Sequence, residues 1–362
     1  MGDIKLKKGT GILFVMAVLF ISSLLYLHYG DQNTLRVGIF YGSNWEVPGT
    51  VHYEILDQAI KKFESKYPNV KVEYEKGILS NDYSEWLSEQ ILKGTEPDVY
   101  LVLDEDFNTL ASLGALKNLD MLVGGDKEFG SNVFYSSVYK AGQYEGSQYA
   151  LPMECNPTLM FVNKTLLQKE GIKVPDNDWT WDDFYDICKT IVKDSDGDGQ
   201  MDQFGCYDYT WLQAVYSNGI TPFNQSGTSS NFLDEKFSQS LEFVKRLEAT
   251  NRNYQVTSND FDLGKVAFRP FTFSDYRTYM PYPWRIKKYS GFEWTCIRMP
   301  AGPSGDNRSE MSALMAGMSS RTEKKQCAWD FVKLLTTDTD IQKLVPAMIS
   351  VLAVVPLSLR WK

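Results

Sequence analysis

The densest chemistry in the chain lies in KDSDGDGQMDQFG, residues 193–205, where four carboxylates fall within nine residues. Charges of one sign so close together repel unless a cation sits among them. Asp194, Asp196 and Asp198, followed by Gly199, match positions 1, 3, 5 and 6 of an EF-hand calcium loop. Gln200 stands where the loop offers a backbone carbonyl, and Asp202 stands at position 9. Position 12, where a bidentate Glu belongs, is Gly205, so another carboxylate such as Asp208, or water, must complete the shell. A helix pattern leads in and a strand pattern leads out. Without a second helix there is nothing to swing, and the expectation is a structural Ca2+ strut rather than a switch.

Other chemistries find little support. The chain has two histidines, and His28 lies in an apolar segment, which leaves His52 alone for Ser-His or Cys-His catalysis. No GxSxG, HExxH or phosphate-cradling GxxxxGK[ST] occurs. Paired carboxylates can hydrolyse a glycoside without histidine, so a carbohydrate hydrolase stays an alternative. A calcium-dependent surface adhesin is a second one. The formal charge of −9 and the lack of a basic, aromatic-interleaved patch argue against nucleic acid. Aromatics reach 14%, with nine Trp and twenty-one Tyr, which suits flat, hydroxyl-rich ligands as well as cores.

The elements that must position these groups read as follows. Lys5, Lys7 and Lys8 precede an uncharged apolar run over residues 11–29, close to the ~20 residues that span a bilayer. No small-x-small cleavage site precedes Gly30, and the first cysteine is Cys155, so no lipid-bearing Cys follows the run. Residues 1–30 are therefore expected to be a signal or membrane anchor, with the basic flank cytoplasmic and the rest outside. Those thirty residues hold three lysines and one aspartate, so the exported part carries a formal −11. Strands are expected at 35–40, 70–74, 99–103, 159–163 and 204–209. Helical spacing appears in Ile55, Leu56, Ala59, Ile60 and Phe63, in Trp86, Leu87, Ile91 and Leu92, and in Phe237, Leu241, Val244 and Leu247. Thr180 with Asp183 forms a capping-box signature for a helix through Val192, and a last helix spans 322–335. This alternation implies a mostly parallel α/β sheet. Five cysteines are no disulfide framework in a chain of 362 residues. Cys188 and Cys206, which bracket the acidic loop, form the pair to test, and buried free thiols are the expected state.

Several stretches, in order, carry a family resemblance: AIKKFESKYPNVKVEY, GTEPDVYLV, GALKNLD, YALPMECNPTLMFVNKTLLQKEGI, WTWDDFYDICKTIVKDSDGDGQMDQFG, FDLGKVAF and KKQCAWDFVKLLTTD. Covering about 35 to 340, they resemble the extracellular solute-binding proteins of ABC importers, in the maltose/oligosaccharide-binding branch. The resemblance implies a two-lobed, hinged, periplasmic-binding-protein-like type II α/β fold. It implies a first lobe over 31–149, a second over 150–308 and a return to the first over 309–362, with crossovers near 149–156 and 309–319. It also implies a non-enzymatic monomer that captures a sugar or oligosaccharide between the lobes and delivers it to membrane permease subunits. Where family members continue into further second-lobe helices, this sequence stops at Lys362. It is expected to be short or truncated there.

A sugar cleft pairs aromatic faces with side chains that hydrogen-bond hydroxyls. The candidates are loop residues at strand ends and crossovers. Asn44, Trp45 and Glu46 follow the first strand, and Asp104 with Glu105 follows the third. Glu154 and Asn156 lie at the first crossover, and Trp211 follows the strand beyond the acidic loop. Phe271, Tyr276, Arg277, Tyr279 and Trp284 fill an irregular aromatic stretch, and Trp45 and Trp284 lead the set. Trp86, Trp179, Trp181 and Trp329 sit on or at the start of helical stretches and read as core.

Overall fold

A computed structural model describes residues 33–42, 44–45, 52–224, 227–275, 292–344 and 349–350. Strand β1 (Thr34–Gly38) leads to α1 (His52–Lys66), β2 (Lys71–Tyr74), α2 (Ser80–Lys93) and β3 (Val99–Val102). These strands pair in parallel in the order β2-β1-β3. Every residue of β3 is buried, as a strand covered on both faces must be. Helix α2 ends on Gly94 in the left-handed conformation, φ 71°, whose N–H bonds back to the helix. Leu92 departs from its expected role: it is 88% exposed, and Tyr83 and Leu87 do the packing instead.

Helix α3 (Asp104–Ser112) follows β3 at once, with Asp104, Glu105 and Asp106 in its first turn, where the helix dipole favours acids. The chain then reaches β4 (Ala150–Asn163), a strand of fourteen residues. Apolar periodicity reveals only its last five residues, because Pro152 and Pro157 interrupt the N–H donors earlier on. Helices α4 (Lys164–Lys169) and α5 (Trp181–Ile191) come next, then β5 (Phe204–Cys206), α6 (Trp211–Ser217), α7 (Glu235–Glu248), β6 (Val266–Thr272) and β7 (Trp294–Ile297). The capping box of Thr180 and Asp183 forms as read, and Thr210 with Gln213 builds a second one on α6. The chain returns through β8 (Met311–Met318) to α8 (Lys325–Thr337), which starts three residues later than expected.

The sheet runs β2-β1-β3-β8-β4-β6-β5. One strand, β4, serves both halves. Its residues 150–157 pair antiparallel with β8, and residues 158–162 pair antiparallel with β6. Its last residues also pair with β7. The cores divide at the same place. One contains Leu151, Met153, Leu314 and Trp329, and the other contains Met160, Val162, Phe184 and Phe268. Two packed bodies joined by continuous strands make a two-lobed mixed α/β molecule. Trp329 is 1% exposed, and Trp179 and Trp181 are buried as expected, whereas Trp86 is half-buried against the first core. All five cysteines are free thiols. Burial pushes the Cys188 and Cys206 thiols well up, so both stay protonated and inert.

Candidate functional site

Groups from both lobes come together at the C-terminal end of β3. Met315 of β8 pairs with Val102 of β3, and continuing that register brings Ala313 beside Asp104. Asp104 remains open to solvent, yet the atoms around it desolvate its carboxyl strongly. That combination marks a group down in a crevice rather than on a convex face. Confinement there, then the charges of Glu105 and Glu310, push the carboxyl up to about 6 against a hydrogen bond from the Ala313 N–H. Glu310, just before β8, is half-buried, and burial raises its carboxyl. Tyr216 of α6, on the other lobe, has its phenol raised by burial and then by Glu310 and Asp104. Two acids and a phenol from three separate segments therefore share one field across the interlobe gap. Together they offer one donor–acceptor hydroxyl and two carboxylates to a ligand.

The remaining candidates distribute around this centre. Asn44 and Trp45 lie in the turn after β1, both half-buried, with Trp45 packed on the first core. Nearby, Tyr41 is exposed three residues past β1 and starts a run of rings, 5.6 Å from Tyr53 and on to Tyr74 at 5.3 Å. Glu154 and Asn156 are buried within β4, not in a loop. Asn156 donates to Ser274 Oγ at 2.9 Å and accepts from the Ser274 N–H at 2.9 Å, so its amide ties the crossover strand to the chain beyond β6. Trp211 is the first residue of α6, 41% exposed, with its ring 5.8 Å from Phe237. Phe271 is buried in the second lobe. Glu46, Tyr276, Arg277, Tyr279 and Trp284 lie outside the described residues, as do the apolar run at 11–29 and the end of the chain from 351. Sequence reasoning missed Glu310, Tyr216 and Tyr41. Glu310 could have been found as an acid at the return crossover. Tyr216 carries no local signal, since only the packing of α6 turns it to the cleft.

The acidic loop folds around its own backbone. Asp194 accepts the N–H groups of Gly197 at 2.6 Å and Gly199 at 2.7 Å, and these bonds, chiefly the one from Gly199, hold its carboxyl below the usual range. Gly197 and Gly199 have φ of 81° and 91°, a conformation that favours glycine. One carboxylate oxygen each from Asp194, Asp196 and Asp202 lies within 4.8 Å of the others. Asp198 stands outside that trio and accepts the Gln200 N–H at 2.7 Å. Helix α5 leads into the loop and β5 leads out.

A two-lobed body whose cleft is lined from both lobes is the architecture of a solute-binding protein. The family described as bacterial extracellular solute-binding protein matches residues 48–341, and this chain belongs to it. Membership puts the folded part on the extracytoplasmic side. The diacetylchitobiose binding protein DasA of Streptomyces coelicolor is 26% identical over 211 residues, covering 58% of this chain and 47% of that protein. The multiple sugar-binding protein of Streptococcus mutans is 28% identical over 140 residues, covering 38% of this chain and 30% of that one. The chain thus matches less than half of the length of these relatives. The cyclic alpha-maltosyl-1,6-maltose binding protein from Arthrobacter globiformis has a TM-score of 0.70 at 16% identity, over 88% of this chain and 79% of its own. At that identity the likeness shows the fold. No helix among the described residues is long and apolar enough to cross a membrane.

Proposed function

We propose that the chain is the extracytoplasmic substrate-binding component of an ABC importer, a monomer that captures a sugar or oligosaccharide between its lobes. The observation that carries this reading is the convergence of Asp104, Glu310 and Tyr216 from the two lobes on one gap. The names of the relatives, both sugar binders, support the ligand class. Strands β4 and β8 are the crossovers. Closure rotates one core against the other around residues 154–158, and the ligand biases open and closed populations. The closed form is what permease subunits in the membrane would read. Residues 11–29 hold the protein to the membrane as an uncleaved anchor. A thermal-shift screen of oligosaccharides should show a saturable rise for a subset. That rise should be lost in Tyr216→Ala with the unliganded midpoint little changed. No shift with any saccharide would overturn the reading.

A second reading rests on the same acids. A carboxyl raised to about 6 beside another carboxylate is what glycoside hydrolysis uses as a general acid. Product analysis decides: intact oligosaccharide after long incubation supports binding, and cleavage abolished by Asp104→Asn supports hydrolysis.

Asp194, Asp196 and Asp202 would hold Ca2+, with Asp198 and the Gln200 carbonyl as further oxygen donors after a small loop adjustment. The ion would be a structural clamp between α5 and β5, remote from the cleft chemistry. Asp196→Ala should remove the calcium-dependent rise in melting temperature and leave saccharide affinity unchanged. Equal melting temperatures of the parent in calcium and in chelator would sink the clamp.

A further inference from the structure

Asp104, Glu105 and Glu310 bring three carboxylates to the gap that Tyr216 closes from the other lobe. We propose that the ligand they receive is an amino sugar whose nitrogen is a free, protonated amine, an inference that rests on the sugar-binding reading and narrows it to cationic saccharides.

The acids are fixed in place and left without a counter-charge. Asp104 and Glu105 open α3, whose first turn holds them just past β3. Asp106, the third acid of that turn, is taken up by Ser84 Oγ, which donates to it at 2.5 Å. Glu310 is anchored through its carbonyl, which accepts the Thr158 N–H at 3.0 Å where β4 passes from one lobe to the other. Among the described residues no cation acts on Asp104, Glu310 or Tyr216, and the charges that reach them are their own and that of Glu105. Arg308, the nearest basic residue along the chain before Glu310, gives Nε and Nη2 to the two oxygens of Asp306, each at 2.6 Å. Confinement, then Glu105 and Glu310, hold the Asp104 carboxyl up at about 6, as expected of a cluster that lacks a cation, and only the Ala313 N–H opposes them.

This arrangement separates a charged ligand from a neutral one. A hydroxyl can donate to a carboxylate, but it leaves the negative charge in place. Closing the lobes over a neutral sugar would strip water from like charges and give nothing in return. An ammonium group removes that cost, because its three N–H donors can reach oxygens of two or three carboxylates in charge-assisted bonds. Tyr216, a donor and an acceptor at once, suits a ring hydroxyl of the same ligand. The chain's formal charge of −9 draws cations rather than anions toward it.

Calorimetric titration of the full chain in detergent tests the proposal, with glucosamine and galactosamine mono- and disaccharides, each beside its N-acetylated and its hydroxyl counterpart. The amine form should bind at least about tenfold tighter, the gain that a charge-assisted bond provides. That preference should shrink as salt is added. It should also fall about tenfold from pH 7 to pH 5, since the amine stays charged while Asp104 takes up a proton. Glu105→Gln, at an exposed position, and Glu310→Gln should each narrow the ratio of amine to N-acetyl affinity. A ratio unchanged in both variants overturns the proposal. Equal or tighter binding of the N-acetylated or hydroxyl form overturns the amine and leaves the saccharide reading standing. Binding of putrescine as tight as that of the amino sugars overturns the saccharide half of the proposal. No binding by any saccharide removes the sugar-binding reading and this inference together.

Discussion

The two ends of β3 carry the same residue type in opposite circumstances. Before the strand, Glu96 and Asp98 are buried, and Asp98 is enclosed by three donors, the Arg36 N–H of β1 and Thr322 Oγ1 and Lys324 Nζ of the chain's return segment. After it, Asp104 and Glu105 remain open to solvent, and Asp104 faces further negative charge rather than a cation. Five buried residues, Val99 to Leu103, separate the two pairs. A carboxylate that holds a fold together is desolvated only with its partners in place, because an unpaired buried charge costs several kcal/mol. A carboxylate kept for a ligand is left uncompensated and tolerates a raised pKa. The contrast separates scaffold from site without reference to any relative.

Breaking the scaffold end should have the largest effect. Asp98→Ala removes the anionic partner of the Lys324 ammonium and the acceptor of the Thr322 hydroxyl and should cost about 3–5 kcal/mol in urea denaturation. A loss below about 1 kcal/mol would mean that Asp98 is no more structural than Asp104.

Lys333→Ala tests a second scaffold acid. Burial would raise Asp126, but Lys333 Nζ at 2.6 Å and Trp329 Nε1 at 2.9 Å hold it down to about 2. A depressed carboxylate contributes stability above its ordinary pKa and loses it as pH falls through the folded value. The variant should therefore be about 1 kcal/mol less stable at pH 7, with the gap closing as pH falls from about 4 toward 2. A gap that stays constant over that window would assign the loss to packing.

Asp104→Asn should have the smallest effect and the opposite sign. A carboxyl raised to about 6 costs stability once ionised, so the cost is absent below about pH 4 and complete above about pH 6. The variant should melt higher than the parent at pH 8 and equally at pH 4, while losing saccharide binding. A lower melting point at pH 8 would make Asp104 a scaffold residue and erase the contrast.

Much of this architecture was legible from local pattern. The run at 99–102 is apolar throughout because both faces are covered, and Thr180 with Asp183 announces the start of α5 within four residues. Leu92 and Leu241 misled the reading because helical spacing identifies a stripe but not its width, and both point to solvent. Strand β4 was half hidden by its prolines, which are tolerated where the strand trades one partner for another. Asn156 looked like a loop residue from sequence, and only the pairing of β4 with β6 shows why its amide is spent on Ser274.

By itself, the sequence determined what depends on neighbours along the chain: the strand and helix order, the caps, the turn glycines of the acidic loop and the apolar run that precedes the fold. Tertiary structure alone decided what depends on partners far away in sequence. Asp104, Tyr216 and Glu310 are separated by more than ninety residues each, and nothing local marks them as a set. They meet because β4 and β8 pass through both lobes and fix the separation of two cores. The same return of the chain buries Glu96 and Asp98 and leaves Asp104 facing the gap. Identical side chains acquire different roles because their charge is compensated at one end of β3 and left available at the other.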